Sequence, residues 1–491
     1  MMIMLSILLQ RATILQVIAI MVLSFFHGQG IAAPAADSVQ MKTKDPHFGE
    51  ALLYFYRQDY LSSLAHLTAF DKLQQLPTQK EDSDLLLGIL QFSYGLTNAA
   101  QESFKKVLSN KKYTQRTRDT AALYLAKIHY NQGGLSETDI ILDAMGDALP
   151  APLRNEKDFL QLNVLIDRNR WQAAEKALLK LDGERETGSL RWYGQHNLGV
   201  AMLRNDQFRQ GIGILGKISA EPVNDIERRI LQDKANLALG YAYLQASDMN
   251  TAISYFQKVR IKSPFSSQAL LGLGLSEAAL GQHQRALIPW LELQKGDIRE
   301  PEVQEAVLLI PEALFKLESY KNAQGSYQNA VSRYQAEINA VTAATEAVRA
   351  GSMATSVLSS RAFNKSDVND FIGKLPLVPE ARYFPWFMRD TAFRQAISLY
   401  REALDLRNTM VSQKDTLNSY GLSSNVTIRY AEKINEQILE IDSTLNKLAG
   451  YIQKSSINWL ENKKADLNVY LSQANLGLAK VYHHVAERVD P

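Results

Sequence analysis

Leu239-Gly-Tyr-Ala-Tyr-Leu-Gln-Ala-Ser-Asp-Met-Asn-Thr-Ala-Ile-Ser-Tyr-Phe256 and Leu273-Gly-Leu-Ser-Glu-Ala-Ala-Leu-Gly-Gln-His-Gln-Arg-Ala-Leu-Ile-Pro-Trp290 superimpose at an offset of 34 residues. Leu-Gly opens both, Ala252 matches Ala286, and Phe256 matches Trp290. A small residue at Gly240 lets two helix backbones cross closely, and Ala252 does the same on the second helix. Tyr243 and Phe256 fill the space between them. Pro264 ends the pair, because proline lacks the N–H that would continue a helical ladder. Two short helices of this kind cannot bury their apolar faces alone, so neighbouring units must stack.

Weaker copies of the pattern run along the chain. Gly88, Ala100 and Phe104 form one; Ala126, Gly133 and Leu142 a second; Leu165, Ala174 and Leu178 a third; Gly199, Met202, Gly211 and Leu215 a fourth. Ala51, Tyr54, Ser63 and Leu67 precede them, and Leu314, Ala323, Tyr327 and Ala330 follow, with Pro311 where a small residue is expected. The small-residue positions are 51, 88, 126, 162, 199, 240, 274 and 311, Leu162 filling one slot, and their separations run from 34 to 41 residues. The extra residues fall in polar, turn-rich joints: Pro77–Ser83, Pro150–Lys157, Asp182–Gly188 and Ala220–Asp225. Insertions there lengthen loops and leave stacked helices intact.

This arrangement resembles the tetratricopeptide repeat family, whose pattern sets a small residue at the eighth position, a large one at the eleventh, Ala near the twentieth, an aromatic or Leu at the twenty-fourth and Pro at the thirty-second. The resemblance implies an all-α solenoid of about eight helical hairpins over residues 45–335, and a function in holding other molecules. In the family the concave groove is lined by first-helix residues; here the corresponding candidates are Phe92, Tyr130, His196, Tyr241, Leu275 and Phe315. The set is apolar and aromatic. It lacks the Lys, Arg and Asn of members that clamp a terminal carboxylate, and suits an apolar helix or extended segment from a partner or from the chain's own C-terminal part.

Composition agrees with an ordered helical protein. Apolar residues make up 46% and charged ones 22%, with 14 prolines in 491 positions, enough to build a continuous core. The net charge is +2, and Lys and Arg are scattered among Glu and Asp without a basic stripe, which argues against nucleic acid as a partner. There is no cysteine, so disulfides, thiolate metal sites and thiol nucleophiles are excluded.

Residues 1–35 carry one charge, Arg11, followed by the apolar run Ala12–Phe26 and then small residues. This pattern predicts an export signal cleaved after Ala32 or Ala35, or an uncleaved anchor, although a 15-residue apolar core is short for a membrane span. Export without cysteine points to a Gram-negative periplasm and closes the lipoprotein route.

Beyond residue 335 the register fades. Residues 336–387 read as an Ala-rich helix and a connector, Leu375-Pro-Leu-Val-Pro-Glu-Ala-Arg-Tyr-Phe-Pro-Trp-Phe387, whose prolines predict extended or turned backbone. Tyr383, Phe384, Trp386 and Phe387 are either partner anchors or a plug for the open end of the repeat stack. Residues 388–491 predict a long helical hairpin turning near Gly421. Ile434, Ile438, Ile441, Leu445, Leu448 and Ile452 follow a 3,4 alternation that resumes at Leu467 after a stutter around Ser455–Trp459. That seam can be filled within the hairpin, by the end of the repeat stack, or by another chain, the last giving a homo-oligomer.

No catalytic constellation, cofactor motif or metal set emerges. Gly211-Ile-Gly-Ile-Leu-Gly216 fits G-x-G-x-x-G, but a polar stretch precedes it instead of a buried strand. The eight histidines never pair at a metal-ligand interval, and His483-His484 points in two directions around a helix. The expectation is therefore a non-catalytic periplasmic scaffold for a cell-envelope assembly, with protein partners and no cofactor. A carbohydrate-binding or enzymatic protein using the groove, and a self-assembling protein driven by the C-terminal seam, are the competing classes.

Overall fold

Sixteen helices follow one another in eight hairpins among the described residues of this computed structural model, which describes 45–489 apart from 58–59, 73–78, 94–95, 147, 182–187, 224, 352, 354–376 and 420–424. The expected export signal and the turn at Gly421 lie outside the described residues. The hairpins are α1 (Pro46–Tyr56) with α2 (Tyr60–Lys72), α3 (Lys80–Ser93) with α4 (Thr97–Ser109), α5 (Gln115–Asn131) with α6 (Leu135–Ala144), and α7 (Ala151–Asp167) with α8 (Trp171–Lys180). Then come α9 (Gly188–Arg204) with α10 (Phe208–Ala220), α11 (Ile226–Gln245) with α12 (Met249–Lys258), α13 (Ser266–Ala279) with α14 (His283–Gln294), and α15 (Pro301–Lys316) with α16 (Tyr320–Arg349).

Inside each hairpin the spacing does not vary. Twelve residues after each small-residue position the second helix buries Ser63, Ala100, Thr138, Ala174, Gly211, Ala252, Ala286 or Ala323. Four residues later it buries Leu67, Phe104, Leu142, Leu178, Leu215, Phe256, Trp290 or Tyr327. The third hairpin corrects the sequence reading: Thr138, not Gly133, takes the small slot, its hydroxyl donating to the Gly134 carbonyl at 2.7 Å. The close approach is real at Gly240, where a Cβ would stand 2.6 Å from the Phe256 ring.

Gly133 has another task. Seven residues after the small position, the chain passes through the left-handed region at Gly133, Asn169, Asp206, Ser247, Gly281 and Glu318, with φ between 56° and 80°. The next amide then donates back five residues, as from Gly134 to His129, Asp248 to Tyr243 and Ser319 to Leu314, each at 2.9 Å. This helix-ending turn fixes the hairpin's internal length. Length differences are thereby confined to the joints between hairpins.

The chain divides into two units, residues 1–276 and 277–491, with the boundary inside α13. In the first, the core runs as a series of apolar clusters, each drawn from adjacent hairpins. In the second, one core extends from Val303 to Val481.

The boundary expected at 335 falls inside α16, a single helix of 30 residues. The connector is also more regular than its prolines suggest, since Pro379–Tyr383 forms a 3-10 helix, η1, and Phe384–Phe387 one α-turn, α17. Pro379 and Pro385 stand at the starts of these turns, where a missing N–H costs nothing. Then α18 (Thr391–Ser419) and α19 (Asn425–Val489) follow. At 65 residues α19 is about 98 Å long.

The seam of α19 is filled from within the chain by α16, α18 and α15. Ile452, Leu460, Leu467, Ala474 and Val481 are fully buried. At the stutter, buried Ser456 replaces an apolar residue and donates to the Ile452 carbonyl at 2.8 Å, so the helix continues without a break.

Candidate protein-binding faces

In residues 1–276 the first helices α3, α5, α7, α9, α11 and α13 carry the expected face, and its aromatic members act mainly as struts between hairpins. Tyr130 is buried and donates to Asp167 on α7 at 2.6 Å. Tyr241 is buried, lies edge-on to Phe256 at 5.0 Å, and donates to the Gln268 carbonyl at 2.9 Å. His196 is 1% exposed; burial holds its imidazole well below the ordinary range, and the nearby Lys234 charge adds to this. Phe92, edge-on to Tyr124 at 5.6 Å, and Leu275 are half-buried and keep part of their surface in solvent.

A chain of polar bonds joins the first helices from α3 to α13, beginning with Thr114, the N-cap of α5, whose hydroxyl donates to Glu81 on α3 at 2.6 Å. Lys127 pairs with Glu156, Tyr130 with Asp167, Asn197 with Asn163 at 3.1 Å, Tyr193 with Glu227 at 2.8 Å, and Tyr241 with Gln268. Burial raises the Asp167 carboxyl, with the Tyr130 hydrogen bond opposing. Two of these pairs are separated by 34 residues, 163 to 197 and 193 to 227. That recurrence of polar partners at the repeat interval is a sequence signal the apolar template passes over.

The sequence reading also missed Lys234. It is 4% exposed, stands 6.0 Å over the Phe265 ring, and burial pushes its ammonium down to about 7. A cation in an otherwise apolar stripe of α11 was visible in the sequence; its burial was not.

In residues 277–491, α19 covers the corresponding face. Phe315 lies edge-on to Tyr320 at 5.4 Å and to His484 at 5.7 Å, and the His484 imidazole shares a 3.1 Å hydrogen bond with the Tyr320 hydroxyl. The chain's own C-terminal helix thus occupies the surface around Phe315.

The connector aromatics are packed against the same core. Tyr383, Phe384 and Phe387 are buried among Phe393 and Trp459, which removes them from the exterior. The Tyr383 hydroxyl donates to Glu337 at 2.8 Å, and Arg382 donates to the other oxygen of that buried carboxylate at 2.7 Å. Trp386 is half-buried, with the Arg299 guanidinium 4.4 Å and that of Arg389 5.4 Å from its ring. The physical reason is that the last hairpin has no following repeat, so these rings and α19 cover its apolar side.

Gly211–Gly216 lies within α10, where Gly211 is the small residue against α9. Among the described residues no group of three or more His, Asp or Glu is placed to hold a metal ion, and no helix is long and apolar enough to cross a membrane.

The invariant twelve- and sixteen-residue register, the left-handed turn and the stacked first helices decide the fold. It is of the tetratricopeptide type. No family model matches the chain, and no curated protein does. Among solved structures it is similar to the apo form of RapI, at 12% identity over 63% of this chain and 91% of that one, with a TM-score of 0.44. It is also similar to the Cut9–Hcn1 hetero-tetramer of the APC/C, at 12% identity over 90% and 98% with a TM-score of 0.27, and to the TPR2AB-domain:pHSP90 complex of yeast Sti1, at 11% identity over 60% and 91% with a TM-score of 0.20. Likenesses this distant carry no functional inference.

Proposed function

We propose that this chain is a non-catalytic scaffold that holds other proteins and works in the periplasm as part of a cell-envelope assembly. The observation that carries the reading is the bonded first-helix face of residues 1–276. Successive first helices are tied to one another by side-chain bonds, so the surface is organised before a partner arrives and little entropy is lost on docking. Its accessible apolar points, Phe92 and Leu275, suit the apolar side of a helix or an extended segment. The apolar run Ala12–Phe26 behind Arg11, with small residues after it, supports export.

The test is affinity purification with crosslinking from a periplasmic extract, comparing the parent chain with Phe92→Asp and Leu275→Asp. Both substitutions replace half-buried side chains, so circular dichroism is run alongside. Reproducible recovery of envelope proteins that is lost in a folded variant supports the scaffold. Failure to recover any, or recovery indifferent to both variants, defeats it. N-terminal sequencing of the fractionated protein checks the location: a mature chain beginning after Ala32 or Ala35 is expected, and a cytoplasmic chain retaining Met1 would count against export.

A further inference from the structure

Within residues 277–491, the second helices α14 and α16 frame an open cleft of about 830 Å³, with Leu314 of α15 between them. Lys295, Lys321 and Arg333 stand around it, and no Asp or Glu is among its lining residues. The Arg333 guanidinium donates to the carbonyls of Gln294 and Gly296 at 3.0 and 3.4 Å, which holds its charge at the rim without neutralising it. Lys321 makes no ion pair among the described residues. Lys295 pairs with Glu292 on the exposed surface of α14, an interaction that water and salt weaken.

Two further features bear on what the cleft accepts. Ile288 and Leu291, 70% and 46% exposed, lie on α14 seven and four residues before its C-cap Lys295, outside the cleft's lining but in line with that lysine by the helical three- and four-residue spacing. Gly325 lines the cleft inside α16, where a Cβ would meet nothing within 4 Å. Internal packing therefore does not demand a glycine there, although glycine weakens a helix interior. Its absent side chain keeps the cleft open to the close approach of another backbone.

We propose that this cleft docks an acidic amphipathic helix of a partner protein. The helix sets its apolar side on Ile288 and Leu291, its carboxylates toward Lys321 and Arg333, and its backbone against Gly325. A simple polyanion would use the cations but not the two apolar side chains, and an uncharged apolar helix would leave three cations facing it. The inference rests on the scaffold reading only in taking a protein as the occupant. It concerns second helices, whereas that reading rests on the first-helix face, so either can fail alone.

The experiment titrates the full chain into a fluorescein-labelled 18-residue peptide with Leu at helical i, i+3, i+4 spacing and Glu elsewhere, read by anisotropy. A scrambled peptide of the same composition and labelled dextran sulfate are the comparison probes. The amphipathic peptide is expected to bind at least tenfold more tightly than its scramble, and more weakly at higher salt. Lys321→Glu, Ile288→Asp and Gly325→Gln each lower its affinity at least tenfold. Gly325→Gln replaces a helix glycine at an open position, so the fold is retained while the cleft is filled. Absence of peptide binding by the parent overturns the proposal, as do equal binding of the scramble and indifference to Gly325→Gln. Dextran sulfate binding that falls in the variants while the peptide does not bind assigns the cleft to a polyanion and equally overturns it.

Discussion

Two glycines of α19 should respond oppositely to the same substitution. At Gly450 a Cβ meets nothing within 4 Å, so Gly450→Ala adds only helix propensity and stabilises by about 0.8 kcal/mol. At Gly477 a Cβ would stand 2.3 Å from two ring carbons of Tyr327 and 2.6 Å from its hydroxyl. Tyr327 is 3% exposed and donates to Glu312 at 3.1 Å, so its ring cannot retreat without disturbing the α16 core and that bond. Overpacking of this kind costs about 1–3 kcal/mol, and a bond to a charged group adds roughly 1.5. Set against the propensity gain, Gly477→Ala should destabilise by about 2 kcal/mol or more. The assay is hydrogen exchange on peptides from α16 and α19, in which exchange through opening of this pair speeds up about thirtyfold in Gly477→Ala and slows several-fold in Gly450→Ala. Tyr327→Leu should cost less in the Gly477→Ala background than in the parent, because the two sites touch. Shifts of the same sign at both glycines, or full additivity with Tyr327→Leu, would refute the close packing of α16 on α19.

Other outcomes follow from buried charges and strained turns. Lys234 titrates near 7 in the fold and at its ordinary 10.5 when unfolded. Between these values the unfolded chain binds more protons, so stability rises with pH across that window. Lys234→Met should raise Tm at pH 6, by on the order of 5 kcal/mol in stability, and the gain should vanish above pH 10.5; a pH-independent gain rejects the assignment. Glu337→Ala leaves the buried Tyr383 hydroxyl without its acceptor and should cost about 2–4 kcal/mol, with Glu337→Gln milder, as read from urea midpoints. Glu318 holds φ at 57°, so Glu318→Gly should stabilise by about 0.5–1 kcal/mol, while Gly133→Ala, at φ 80°, should destabilise by about 1 kcal/mol; equal Tm values in all three proteins would deny the strain.

The repeat was legible in the chain because its signal is local. Gly240, Ala252 and Phe256 obey a steric rule that any two crossing helices impose, and the alternation from Ile434 to Ile452 announces a helix whatever it packs on. The eight hairpins and the limits of α19 follow from such short-range patterns. Thr138 was missed because a threonine can occupy a small slot when its hydroxyl bonds a nearby carbonyl, which the apolar template does not count.

What packs on a seam is a different kind of question. The same heptad could have met α18, a repeat or another chain, since an apolar stripe is satisfied by any apolar stripe of matching spacing. Only the tertiary structure brings α19 onto α16 and α15, encloses Tyr383, Phe384 and Phe387, and sets His484 against Phe315. Hydrophobic burial is non-directional, so the sequence by itself determined that these faces must be covered. Shape decided by what: Gly477 against the Tyr327 ring, and the Glu337 carboxylate between Arg382 and Tyr383.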